Sequence, residues 1–126
     1  MSSPSITTKS PSGNSFEIDA AGVAVGRVAT QAVRMLLGKN LAGYEPRKDV
    51  TAYVHIRNLG LLKFTGKKFV QKDFRHHTMF PGGIKRVPMK KVFENRPKQV
   101  MRHAISGMLP KNRRRSILLS RVKYSV

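Results

Sequence analysis

Four histidines, six carboxylates and three turns rich in Lys and Arg are the side chains through which this 126-residue chain could do chemistry. His76 and His77 are adjacent, the usual first suggestion of a metal ligand or general base. Neighbours on an extended strand point to opposite faces, so the pair is badly placed to share one ion, and Asp73 is the only carboxylate close in sequence. Packing for one and a partner contact for the other is the simpler reading. His55 and His103 belong to no motif and read as ordinary surface or edge residues. The carboxylates Glu17, Asp19, Glu45, Asp49, Asp73 and Glu94 lack the paired spacing of a hydrolase. There is no Cys nucleophile, and no Gly-x-Ser-x-Gly elbow that would present a serine to a base. The absence of Cys also removes disulfides and thiolate metal sites. An enzyme is therefore not expected, nor a metal.

Gly22-Val23-Ala24-Val25-Gly26-Arg27 lies where a strand gives way to a helix, the place where dinucleotide folds hold phosphate on helix-start N–H groups. Its glycine spacing is not G-x-G-x-x-G, and no acid closes the second strand. A tight turn is the plainer reading, with Arg27 a candidate for meeting a phosphate of nucleic acid. No cofactor is expected.

The cationic turns carry more. Thr65-Gly66-Lys67-Lys68, Pro81-Gly82-Gly83-Ile84-Lys85-Arg86 and Pro110-Lys111-Asn112-Arg113-Arg114-Arg115 each place positive charge on a bend. Glycine lets a sugar-phosphate approach the backbone closely, and Lys and Arg displace its condensed counterions. The rest of the chain agrees: 25 basic residues stand against 6 acidic ones, a formal charge of +19. After Glu94 there are nine Lys or Arg and no acid. Such a surplus repels itself on compaction and calls for a polyanion. The cations are interleaved with Gly, Pro and aromatics and are not gathered on one amphipathic helix, which favours nucleic acid over a membrane surface. No apolar run approaches the roughly 20 residues that span a bilayer. A soluble cytoplasmic protein is expected. With no helix-turn-helix arrangement and no aromatic RNP motif, recognition is expected to follow the shape and backbone of structured RNA.

These turns need a scaffold. Residues 1–15 are rich in Ser and Thr and read as a flexible extension; 16–126 read as one domain. Phe16-Glu17-Ile18-Asp19 alternates as a strand, and Tyr53 to Arg57 forms another. Between them Val25, Val28, Ala29, Ala32, Val33, Leu36 and Leu37 mark one stripe of a helix ended by Gly38. Strand, helix, strand predicts a parallel βαβ unit. Phe69 to His77 reads as a third strand with Phe74 inward, and Met79 to Pro88 as a loop. Helical turns follow at Met89–Asn95, a helix from Pro97 stopped by Pro110, a final helix from Arg113 to Arg121, and a last strand from Val122.

Ile18-Asp19-Ala20, Gly26-Arg27, Gly38-Lys39, Thr65-Gly66-Lys67-Lys68, Arg75-His76 with Pro81-Gly82-Gly83 and Lys85, and Gly107-Met108-Leu109-Pro110-Lys111-Asn112 occur in this order. In them the chain resembles the bacterial large-subunit ribosomal protein L13 family over roughly residues 16–124. The resemblance implies a three-layer α/β/α fold with a small, mostly parallel four-stranded sheet. It also implies no catalysis, a place in the large subunit, binding of large-subunit rRNA early in assembly, and contact with neighbouring ribosomal proteins. By position it makes Lys67, Lys68, His76, Lys85, Lys111, Asn112 and Arg113 RNA-facing; charge adds Arg75, Arg86, Arg114 and Arg115. Membrane and small-molecule partners are not expected; the ribosome of the cytoplasm is the expected place, with an organellar ribosome left open. Phe16 stands where the family usually has Trp, and His55 and Arg57 replace apolar residues of the second strand. Two other readings differ in class. A DNA-compacting protein would bind duplex DNA as tightly as rRNA, and a nucleotide-dependent enzyme would bind nucleotide saturably at the Gly22–Gly26 turn.

Overall fold

The computed structural model describes the backbone of Ile6–Thr8 and all of residues 14–126. Four strands form the main sheet, in the order β1-β2-β3-β6, from Ile6–Thr8 (β1), Ser15–Asp19 (β2), Tyr53–Arg57 (β3) and Val122–Tyr124 (β6). β2, β3 and β6 are parallel, and β1 adds an antiparallel edge. Ile6–Thr8 therefore pairs with β2 although its surroundings read as an extension without structure; the remainder of that expectation, over 1–5 and 9–13, lies outside the described residues.

The βαβ unit is present. Helix α1 (Val25–Leu36) joins β2 to β3 and buries Val28, Ala29, Ala32, Met35 and Leu36. Its end is a Schellman cap: the Gly38 N–H donates to the Met35 carbonyl at 3.1 Å and the Lys39 N–H to the Arg34 carbonyl at 3.1 Å. Gly38 holds φ +75°, and a Cβ there would lie 2.9 Å from Val50 Cγ2, so the cap is also where the next loop packs against the helix. Helix α4 (Pro97–Met108) begins with Pro in its first turn and buries Val100, Met101 and Ile105. With α1 and Leu118 of α5 (Arg114–Ser120), it covers the sheet face made by Phe16, Ile18, Val54, Ile56 and Val122.

The opposite sheet face is polar. It carries the row Glu17, His55, Lys123 beneath an open hollow of about 670 Å³ that no helix residue lines. Parallel sheets ordinarily bury both faces. The expected second helical layer is not found over this face among the described residues, and alternation of charged with apolar residues along β2 and β3 is the physical reason the face tolerates water.

Two expectations need correction. The third strand is shorter and belongs elsewhere: Lys68–Gln71 is a single helical turn, α2, and only Asp73–His77 (β4) is extended. The expected loop after it contains a strand, β5 (Ile84–Pro88), which pairs with β4 in a separate antiparallel ribbon. Pro88 ends β5, which in a two-stranded ribbon is an edge strand, where proline is tolerated. At the ribbon's base the Met89 N–H donates to the Lys72 carbonyl at 2.9 Å. Helix α3 (Met89–Asn95) follows, and its Phe93 meets Phe64 edge-on at 4.9 Å and Phe69 at 5.9 Å. This aromatic cluster seats α2 and α3 beside the main core.

Candidate nucleic-acid interface

Three cation-bearing regions stand on this scaffold, and the structure treats them differently. The first surrounds the start of α1. Arg27, Lys63, Lys68, Lys72 and His103 line a hollow of about 500 Å³ floored by Phe64, Phe74 and Met108. Arg27 and Lys68 were legible in sequence; Lys63, Lys72 and His103 were not, since they come from three separate elements. The Gly22–Gly26 turn does not cradle phosphate through its first amides. The Gly22 N–H donates to the Leu61 carbonyl at 2.9 Å and the Val23 N–H to the Ala20 carbonyl at 3.2 Å. The turn is tied to the chain crossing beside it, where Ala24 bridges Lys63. Lys67 caps α2 and is exposed.

The second region is the β4–β5 ribbon. Arg75 lies directly across from Arg86, and His76 from Lys85, and all four are exposed. His76 and His77, one residue apart on β4, fall on opposite faces. Phe74 is half-buried, with its ring edge-on to His103 at 4.8 Å and Lys72 Nζ 5.8 Å from its centre, so the ribbon grows out of the first hollow. Among the described residues no ion pair engages Arg75, Lys85 or Arg86.

The third region, from Pro110 to Arg115, divides. Lys111, Asn112 and Arg113 are exposed on a turn closed by the Arg115 N–H donating to the Asn112 carbonyl at 3.2 Å. Arg114 is drawn back to the protein. Its guanidinium reaches Asp49 Oδ1 at 3.1 Å and the Lys48 carbonyl at 3.2 Å. Arg121 holds the same carboxylate at 3.3 Å and the Val50 carbonyl at 3.1 Å, with only 13% of its side chain exposed. Hydrogen bonds from Arg121 and then Arg114 hold the Asp49 carboxyl below its ordinary range. Asp19 is likewise lowered, by the Ala21 N–H and then by Asn58, whose left-handed backbone (φ 57°) brings its amide to 2.9 Å. Arg115 is half-buried.

Four of the six acids are thus engaged within the sheet, the turn after it and the 45–50 loop. Glu17 takes Arg57 at 2.8 Å, Glu45 takes Lys48 at 3.2 Å and Arg47 at 3.4 Å, and Asp49 takes Arg114 and Arg121. One contact on the open sheet face has the outline of a hydrolytic site: His55 Nε2 lies 2.6 Å from Ser125 Oγ. Its third member fails. Glu17 is 3.8 Å from His55 Nδ1 and is committed to Arg57, so no carboxylate orients the imidazole within hydrogen-bond reach. Among the described residues no group of three His, Cys, Asp or Glu could hold a metal ion, and no helix is long and apolar enough to cross a membrane.

Fold and surface together define a class: a small α/β domain that displays its cations on turns and a two-stranded ribbon and engages four of its six acids internally. Within that class, the sequence profile of ribosomal protein L13 matches residues 14–124, and the chain belongs to that family. It is 39% identical over 108 residues to the large ribosomal subunit protein uL13 of Desulfitobacterium hafniense, spanning 86% of this chain and 76% of the relative. The protein of the same name from Legionella pneumophila is 41% identical over 97 residues, spanning 77% of this chain and 67% of the relative. That of Clostridioides difficile is 37% identical over 108 residues.

Proposed function

We propose that this protein is a structural constituent of the large ribosomal subunit, holding large-subunit rRNA on its cationic turns and acting early in assembly, beside neighbouring ribosomal proteins. Its proposed place is the ribosome of the cytoplasm, an organellar ribosome being the alternative. Family membership supports the subunit; the distribution of charge supports the RNA. The observation that carries the reading is the internal engagement of four of the six carboxylates, while Arg75 opposite Arg86, and Lys85 opposite His76 on the other face, take part in no ion pair among the described residues. Arg27, Lys67, Lys68, Lys111, Asn112, Arg113 and Arg115 complete the proposed surface, while Arg114 serves mainly to hold the 45–50 loop. No covalent step is involved: the scaffold binds by charge and shape, and no cofactor or small substrate enters.

Gradient sedimentation of a cell extract tests the assignment. The chain is expected with large subunits and intact ribosomes; a chain confined to the top of the gradient overturns it. Binding to purified large-subunit rRNA supplies the second test. With six to ten phosphate contacts, by analogy with duplex DNA, affinity should fall by about 10³–10⁵ between about 50 and 200 mM salt. A flat response removes the electrostatic mechanism.

A further inference from the structure

The β4–β5 ribbon combines an exposed apolar tip with a charged stem. Met79 is 96% exposed and Phe80 is 78% exposed, followed by Ile84 at 59%. Isolated exposed apolar residues are unremarkable, but three on one hairpin end that stands off the main sheet form a patch. The stem below it carries a cation on each face, with Asp73 at its base as its one acid. Arg75 and Arg86 oppose each other on one face, His76 and Lys85 on the other. Like charges directly across a strand pair are destabilising.

The tip is also rigidly built. The Thr78 N–H donates to the Gly83 carbonyl and the Gly83 N–H to the Phe80 carbonyl, each at 3.0 Å. Pro81 and Gly82, the latter at φ +71°, occupy the corner of that turn, the residue pair a type II turn demands. A Cβ on Gly83 would strike Thr78 Oγ1, so the hairpin end is closely packed at this glycine. Phe80 is held out by this frame, and binding need not first order a loop.

We propose that this ribbon is an RNA wedge: Phe80, with Met79 beside it, stacks on an unpaired or opened base of folded rRNA while the cations of the stem hold the phosphates on either side. The proposal rests on the rRNA-binding reading and deepens it. RNA is the occupant because it alone offers both halves of what the ribbon lacks. Its bases present a π-face to an aromatic ring, and its backbone supplies a negative charge on each side of that base. A protein pocket for Phe80 would need acids around its rim to meet the four stem side chains.

Filter binding to protein-free large-subunit rRNA across a salt series tests it, with Phe80→Ala, Phe80→Tyr and the pair Arg75→Gln/Arg86→Gln. The exposed positions leave the fold untouched. Phe80→Ala should weaken binding by about 5- to 150-fold, the loss of one stacked base, at unchanged salt slope. Phe80→Tyr, which keeps the ring, should bind like the wild type. The arginine pair should instead flatten the slope of log K against log salt by about 1.4–1.8, two phosphate contacts' worth. Phe80→Ala within twofold of wild type on RNA overturns the wedge. Loss of Phe80→Ala from large-subunit particles with unchanged RNA affinity also overturns it, since a protein then covers the tip. A wild-type chain without salt-dependent RNA binding removes both this proposal and the function it rests on; a normal wild type with an indifferent Phe80 removes the wedge alone.

Discussion

Arg113 and Arg114 are neighbours in a run of three arginines, and the structure gives them opposite work. Arg113 is exposed on the turn, whereas Arg114, with 38% of its side chain exposed, bonds Asp49 and the Lys48 carbonyl. Arg114→Ala deletes one ion pair, discounted for exposure to about 0.2–1 kcal/mol. It also deletes a charged hydrogen bond to a backbone carbonyl, worth about 1.5 kcal/mol at its low end. A loss of about 1–2 kcal/mol is expected, because Arg121 still holds Asp49 and part of the gap will be filled by water. Arg113→Ala should change stability by no more than about 0.5 kcal/mol. In rRNA binding the order reverses: Arg113→Ala should flatten the salt slope by about 0.7–0.9, one phosphate's share, and Arg114→Ala should leave it unchanged. Urea denaturation followed by circular dichroism reads the first pair of values, and filter binding at four or five salt concentrations reads the second. If Arg114→Ala flattens the slope as Arg113→Ala does while keeping the wild-type midpoint, the division of labour is refuted.

Three further outcomes are expected of the scaffold. Leu36, at 1% exposure in the α1 stripe, should cost about 2–5 kcal/mol on change to Ala, read as a shifted urea midpoint with unchanged m. Gly38→Ala should cost about 1–2 kcal/mol from the left-handed backbone alone, and more as Val50 moves aside; a midpoint equal to wild type would show that the cap relaxes freely. Asp49, whose carboxyl is lowered from 3.8, lends stability that is complete above that value and is lost as pH falls through the lower folded value. Asp49→Asn should therefore remove about 0.2–1 kcal/mol at pH 7 and reduce the acid sensitivity of the midpoint below about pH 4, leaving the part owed to Asp19.

The α1 stripe and the parallel strands around it were legible because their apolar spacing is local: all seven stripe positions from Val25 to Leu37 are buried or half-buried against the core, and Met35 joins them as the helix turns. The β4–β5 ribbon was not. Ile84-Lys85-Arg86-Val87-Pro88 has the composition of a charged loop, and only its pairing with Asp73–His77 makes it extended. Ile6–Thr8 was hidden in the same way by its Ser- and Thr-rich neighbours. At the candidate interface, the amount of charge on each turn could be read directly, but its direction could not. Asp49 is 65 residues from Arg114, and nothing in the arginine run marks the middle member as the one that turns inward. The gathering of Lys63, Lys72 and His103 about Arg27 is likewise a product of chain crossings.

The facing guanidinium groups of Arg75 and Arg86 have a consequence for handling the isolated protein. Their mutual repulsion is shielded by small ions, with a Debye length of about 10 Å at 0.1 M. Dissolved electrolyte should therefore firm up this hairpin while loosening its grip on nucleic acid. Storage buffers and assembly buffers thus pull in contrary directions, and amide hydrogen exchange along Ile84–Val87 should slow as ionic strength is raised.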